Sequence, residues 1–201
     1  MDKNFDITID REILNKWQEL KAAVEYKNIN NNVLFRTYDL EGRNELYKEV
    51  GYFDTQSGVE AAIEKLYRED KLTDECKFYY ELMKKLFEAK LTMINETPLV
   101  VNSSLSNHLV SIEHHYWFKC TEKIIELTPE LSTYSNFKKS VSDIWIMRNN
   151  AMIDNILEHI NSFSGKKLVV LVGGEHKYYL HKNLISKQEE NGFLLKEFWE
   201  Y

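Results

Sequence analysis

The sequence predicts an α/β fold dominated by helices: long helices packed on a small sheet that contains a C-terminal βαβ unit with parallel strands. Three observations predict it. Apolar residues recur at steps of three and four through most of the chain before Gly165, the mark of amphipathic helices. The run Leu168-Val169-Val170-Leu171-Val172 is short, unbroken and rich in β-branched residues, as a strand buried on both faces of a parallel sheet is. Seven Gly and two Pro in 201 residues leave too few turns for a many-stranded sandwich or barrel.

Taken in order, Phe5, Ile7 and Ile9 alternate with polar residues and suit a short strand. Ile13, Leu14, Trp17, Leu20 and Val24 predict a helix over 10–27. Residues 33–38 suit a strand, and Gly42, Gly51 and Gly58 mark turns. Ser57 and Glu60 fit a capping box for a helix bearing Val59, Ile63 and Leu66. Thr73 and Asp74 cap the next helix, with Phe78, Leu82, Leu86 and Ile94 as its stripe and Pro98 as its end. Leu105, Leu109, Ile112, Tyr116, Cys120 and Ile124 predict a helix over 103–127. Thr128-Pro129 opens a helix to about Phe163, with a break near 132–136. Beyond Gly165 come a strand over 168–172, a helix over 175–190 and a strand over 193–199, a βαβ unit whose strands are parallel. The whole reads as one domain, 1–201: a mainly helical region over 1–128, then a helix and the βαβ unit over 129–201. Two parallel strands cannot cover a sheet. Their neighbours come from 5–9, 33–38 and 98–102 or from a second copy, so a homo-oligomer is expected.

No apolar run reaches the roughly 18 residues of a membrane helix, and the first thirty positions carry no secretory pattern. A net charge of −6 speaks against nucleic acid as partner. Cys76 and Cys120 supply neither a disulfide framework nor a four-ligand zinc site and read as packing thiols. A cytoplasmic protein is expected, with no membrane partner.

Chemistry concentrates near the C-terminus. Val172-Gly173-Gly174-Glu175-His176 places two glycines at a predicted strand end and helix N-terminus, where backbone N–H groups favour anions and a ligand can approach closely. His176 suits proton transfer or metal ligation, with Glu175 beside it; the plain alternative is a turn with a surface histidine. Arg148 lies four residues from both Ile144 and Met152, inside the apolar stripe of its helix. A buried guanidinium there needs a carboxylate, carbonyl or anion, and one at the rim keeps its head in water. Asn149, on the adjacent face, shares the same pocket. His114 and His115 are consecutive, with Glu113 beside them, and a structural role is expected for them.

Arg148-Asn149-Asn150-Ala151-Met152, a helix, and then Lys167 through Gly173-Gly174-Glu175-His176 to Leu180 resemble the C-terminal part of the superfamily of TraB, Tiki, erythromycin esterase and ChaN-like haem-uptake proteins. In that group a helix bearing Arg precedes a strand ending in Gly-x-x-His, and Arg148, Gly173 and His176 match those positions. The resemblance covers roughly 140–201. It implies a hydrolase of peptide or ester bonds with a divalent metal ion as candidate cofactor, His176 as metal ligand or general base, Glu175 assisting, Arg148 holding an anionic group, and Gly173, Gly174 and Asn149 contacting a small-molecule or peptide substrate. Active members also carry an earlier Gly-x-x-His and a Glu after a second strand. No Gly-x-x-His precedes residue 173 here. A fragment, a reduced relative, or a site completed by another chain are the expectations that follow. The readings that stand are a hydrolase-like protein with an incomplete or divergent site, a catalytically silent binder, and a helical interaction module.

Overall fold

The computed structural model describes residues 18–200. Among them there is no strand, and helices dominate. The expected α/β class, its parallel sheet and its βαβ unit are therefore corrected to an all-helical architecture. The reason is a lack of strand partners among the described residues. Residues 33–38 and 193–199 form no regular element, and 98–102 is largely helical. The expected strand over 5–9 and the start of the 10–27 helix lie outside the described residues. Residues 168–172 are left without a ladder, and Val169 is 83% exposed.

The chain divides into two compact units, Met1–Tyr38 with Lys167–Leu171, and Asp39–Lys166 with Val172–Tyr201. In the first, helix α1 spans Gln18–Ile29. Asn30 closes it, both its backbone and its side-chain amide bonding the Tyr26 carbonyl. The Tyr38 hydroxyl donates to the carbonyl of Leu171 at 2.6 Å.

The second unit holds the core and the site. Helices α2 (Arg43–Glu49) and α3 (Tyr52–Arg68) follow glycines at positive φ, Gly42 and Gly51. The expected capping box at Ser57 is not used. Tyr52 already lies in helix, and the Ser57 hydroxyl donates back to the Phe53 carbonyl. Thr73 caps α4 (Asp74–Ile94) through the Cys76 amide. Pro98 starts the short α5 (Pro98–Val101) rather than ending α4. Ser103 caps α6 (Ser104–Leu127). A 3-10 turn over Pro129–Tyr134 and a π turn over Lys138–Ser142 lead into α7 (Asp143–Ser162). Then come α8 (Gly174–Ile185) and α9 (Gln188–Asn191), closed by Gly192 at positive φ.

The core gathers Val59, Ile63 and Leu66 of α3, Leu72, Cys76 of α4, Ile124 of α6, Leu131, Phe137, Val141 and Ile144. Both cysteines are buried and free. Helices α4 and α6 pack on each other, and α8 packs on both α6 and α7. The last contact brings the N-terminal turn of α8 against the middle of α7. No helix among the described residues is long and apolar enough to cross a membrane.

Candidate functional site

Helix α7 turns Ile144, Trp145, Asn149, Met152, Ile153 and Ile156 inward. Arg148 lies on the edge of this face. Its guanidinium leans towards Asp39, donating from Nε to Oδ1 at 2.8 Å and from Nη2 to Oδ2 at 2.9 Å. This is the two-pronged geometry that a planar guanidinium matches to a carboxylate. Asp39 is fixed further by the Leu40 amide and by Arg43. Burial pushes the Asp39 carboxyl up, but the hydrogen bond and charge of Arg148, with help from Leu40 and Arg43, outweigh it and hold the carboxyl below its ordinary value.

The remaining nitrogen of Arg148, Nη1, donates to the Tyr47 hydroxyl at 3.3 Å and faces Nε2 of His176 at 3.2 Å. A guanidinium cannot accept, so Nε2 carries the lone pair. The other ring nitrogen, Nδ1, then bears the hydrogen and donates to Oδ1 of Asn149 at 2.9 Å. Asn149 is fully buried, and its amide nitrogen donates to the Trp145 carbonyl, which leaves its oxygen for the imidazole. This tautomer is assigned from the hydrogen-bond network. The Trp145 ring stacks on His176, with centroids 5.9 Å apart and planes 12° from parallel. Burial first, and then the positive charge of Arg148, lower the His176 pKa to about 4. The imidazole is neutral at neutral pH.

Glu175 is turned away from this group. Its carboxylate accepts from Lys90 Nζ at 3.1 Å and pairs with Nε2 of His114. Lys90 also donates to Glu113 at 2.9 Å, and both of those residues are buried. The His114 bond, against the opposing effect of burial and with the added charges of His114 and Lys90, holds the Glu175 carboxyl down at about 2. Glu113, His114 and Glu175 offer oxygen and nitrogen atoms within 4.8 Å of one another, a donor set that suits a divalent cation. The Lys90 ammonium already stands among these carboxylates as their cation. His176 is not in this set. Its Nε2 faces a guanidinium and its Nδ1 is directed at Asn149, so the ring turns neither nitrogen towards an ion.

The structure thus brings together Arg148, His176 and Asn149 and adds Asp39 and Tyr47, while Glu175 joins a separate group with Lys90, Glu113 and His114. Gly173 and Gly174 are exposed, with ordinary φ at Gly173. A Cβ added at Gly174 would meet nothing within 4 Å, and at Gly173 only the His176 ring at 4.0 Å. Neither position demands glycine for its backbone.

Asp39 was hidden in a stretch without periodic signal. Lys90 had a visible sign: it follows Leu86 by four and precedes Ile94 by four, so it fills the one gap in the α4 stripe. The buried side of α6 runs through Ser106, Val110, Glu113 and Cys120. Leu105, Ile112 and Tyr116, on the expected stripe, are exposed.

These features define an all-helical protein with two adjoining polar networks at the N-terminal turn of α8, one built on Asp39–Arg148–His176–Asn149 and the other on Glu113–Lys90–Glu175–His114. No protein-family model, curated protein or solved structure matches the chain.

Proposed function

We propose that the chain is a hydrolase-like protein acting on the acyl bond of a small ester or peptide, with His176 as general base and Arg148 as holder of the oxyanion. The observation that carries this reading is the 2.9 Å contact between His176 Nδ1 and Asn149 Oδ1. It orients the imidazole so that its basic nitrogen, Nε2, lies beside the fixed cation of Arg148. A base oriented by a third group next to an anion-stabilising donor is the arrangement that acyl transfer needs. The resemblance of the Arg148 helix and of Gly173 and His176 to TraB, Tiki and erythromycin esterase-like proteins supports the same reaction class.

In this reading a water molecule takes the place of Arg148 Nη1 at Nε2. Its oxygen attacks the acyl carbon as its proton passes to Nε2, and the charge that develops on the carbonyl oxygen is held by the guanidinium. Collapse of the tetrahedral species expels the alcohol or amine, which takes the proton back from Nε2. Asp39 keeps Arg148 in place and charged. The depressed basicity of His176 is relieved as the water separates it from Arg148, since that charge is the second cause of the shift. Asn149 orients the ring, and no role in the steps falls to Glu175, which is committed to Lys90 and His114.

The test is a screen of acyl p-nitrophenyl esters and short peptide amides with the full chain, His176→Gln and Arg148→Lys. Turnover above background that disappears in both variants, with their folds intact by circular dichroism, is expected. An inactive parent, or a His176→Gln variant that retains turnover, overturns the reading and leaves the network as a silent binding or structural element.

A further inference from the structure

Tyr47 of α2 is buried, and its neighbours fix its ring. It stacks on Tyr52 with centroids 4.2 Å apart and planes 7° from parallel, and Phe53 meets both rings edge-on at 5.3 Å. A phenylalanine would serve this packing equally well. The hydroxyl is what the packing leaves unexplained. It accepts from Arg148 Nη1 at 3.3 Å. A guanidinium has no lone pair to offer in return, so the phenolic hydrogen points elsewhere. Among the described residues it finds no acceptor, although polar hydrogens in buried surroundings are ordinarily paired. This unused donor lies beside the one nitrogen of Arg148 that also faces His176 Nε2, at 3.2 Å.

We infer that the Tyr47 hydroxyl is a second oxyanion donor, which together with Arg148 Nη1 holds the carbonyl oxygen of the acyl group in the reaction proposed above; the inference rests on that reading. Two donors 3.3 Å apart both reach a single oxygen at about 2.7–3.1 Å, the range over which such donors act. When water takes the place of Nη1 at Nε2, the Nη1 hydrogen that faced His176 is released to this oxygen. The phenolic hydrogen turns to the same oxygen by rotation about its C–O bond, with no movement of the stacked ring. Donation from the guanidinium polarises the hydroxyl and makes it a stronger donor. No proton changes hands at Tyr47: its bond tightens as negative charge grows and relaxes as the carbonyl re-forms. Such a bond favours the transition state over the bound ester, so it acts on kcat rather than KM. One stretch of chain sets both donors, because Asp39 and Arg43, which fix the cation, flank the start of the helix that carries Tyr47. Tyr52 shares the stack, but its hydroxyl makes no hydrogen bond among the described residues.

The experiment compares the full chain with Tyr47→Phe and Tyr52→Phe in two readouts. One is the kcat and KM of p-nitrophenyl acetate hydrolysis. The other is calorimetric binding of p-nitrophenyl methylphosphonate, a tetrahedral anion that mimics the acyl intermediate. Tyr47→Phe keeps the stacked ring and should fold as the parent does. Its kcat should fall roughly a hundredfold with KM nearly unchanged, and its phosphonate dissociation constant should rise in step. Tyr52→Phe should alter neither. In the parent chain carrying ring-labelled tyrosine, carbon NMR should show the Tyr47 signal moving when the phosphonate binds, a measurement that does not depend on either variant folding. Turnover that needs His176 but is indifferent to Tyr47→Phe overturns this inference alone. So does an equal loss in Tyr52→Phe, or a Tyr47 signal that the bound phosphonate leaves in place. A parent that turns over no ester, yet binds the phosphonate through Tyr47, removes the acyl-transfer reading and upholds Tyr47 as an anion donor. A parent that neither turns over the ester nor binds the phosphonate overturns both.

Discussion

Arg148 and Asp39 stand 109 positions apart in sequence, yet the guanidinium of one grips both oxygens of the other's carboxylate, at 2.8 and 2.9 Å. This grip fixes the cation against which His176 is set, and it ties the segment before α2 to the middle of α7.

Cutting the pair from either side should destabilise the protein unequally. Asp39→Ala leaves a half-buried guanidinium with only Tyr47 and His176, and should cost about 1–3 kcal/mol in urea denaturation, at the lower end because Asp39 is partly in water. Arg148→Met removes the cation and relieves His176, so it should also raise the His176 pKa. The double variant should cost less than the sum of the two. Full additivity would show that the pair carries no coupling.

The acid response should come in two stages. His176 has a folded pKa of about 4, below its ordinary 6.5. The unfolded chain therefore binds more protons between those values, and stability falls as pH drops through that window, by up to about 1.4 kcal/mol per pH unit. Glu175, at about 2 against 4.5, adds a second loss at lower pH, since the unfolded carboxyl protonates first. Denaturation curves across pH should show both, and His176→Gln should remove the upper stage alone. Nitrogen NMR should find the hydrogen on Nδ1 of His176. A hydrogen on Nε2 at neutral pH would contradict the tautomer assigned here.

The Lys90 ammonium stands where a metal ion would serve the same donors. Lys90→Ala should leave the buried Glu113 without its ammonium and Glu175 with His114 alone, destabilising the chain by about 3–5 kcal/mol, as loss of one partner of the buried Lys90–Glu113 pair does. Zinc should then raise the melting temperature of this variant and not that of the parent. Equal response of both chains to zinc would show that Lys90 does not stand in for the cation.

Gly58 sits within α3, where alanine ordinarily stabilises by about 1 kcal/mol. Here a Cβ would come within 2.9 Å of the Tyr134 hydroxyl and 3.0 Å of its ring. Gly58→Ala should therefore destabilise or be neutral, and should become stabilising by about 1 kcal/mol when Tyr134 is also alanine. Gly174→Ala, with open space around it, should be tolerated in either case. A gain from Gly58→Ala in the parent chain would show that Tyr134 yields freely.

Much of the helical layout was legible in the sequence because it rests on local causes. Thr73 caps α4 and Gly192 ends α9, and the spacing of Ile144, Met152 and Ile156 states which side of α7 is buried. Arg148 stood out for the same reason, as a cation within that spacing. The inward side of α4 and α6 was harder to read because both helices carry apolar residues around much of their circumference. Their buried polar residues, Lys90 and Glu113, look like surface residues until their partners are known.

The sequence by itself determined most of the longer helices, caps such as Thr73 of α4, and the place of Arg148 within the inward spacing of α7, since these depend on residues a few positions apart. The tertiary structure alone decided that 168–172 finds no strand partner among the described residues, because a strand is completed only by a neighbour from elsewhere. It alone decided that Asp39 meets Arg148, that Glu175 joins Lys90 rather than His176, and that Asn149 sets the imidazole. Each of these is a meeting of polar groups distant in sequence, and burial makes such groups find partners without any local pattern recording which.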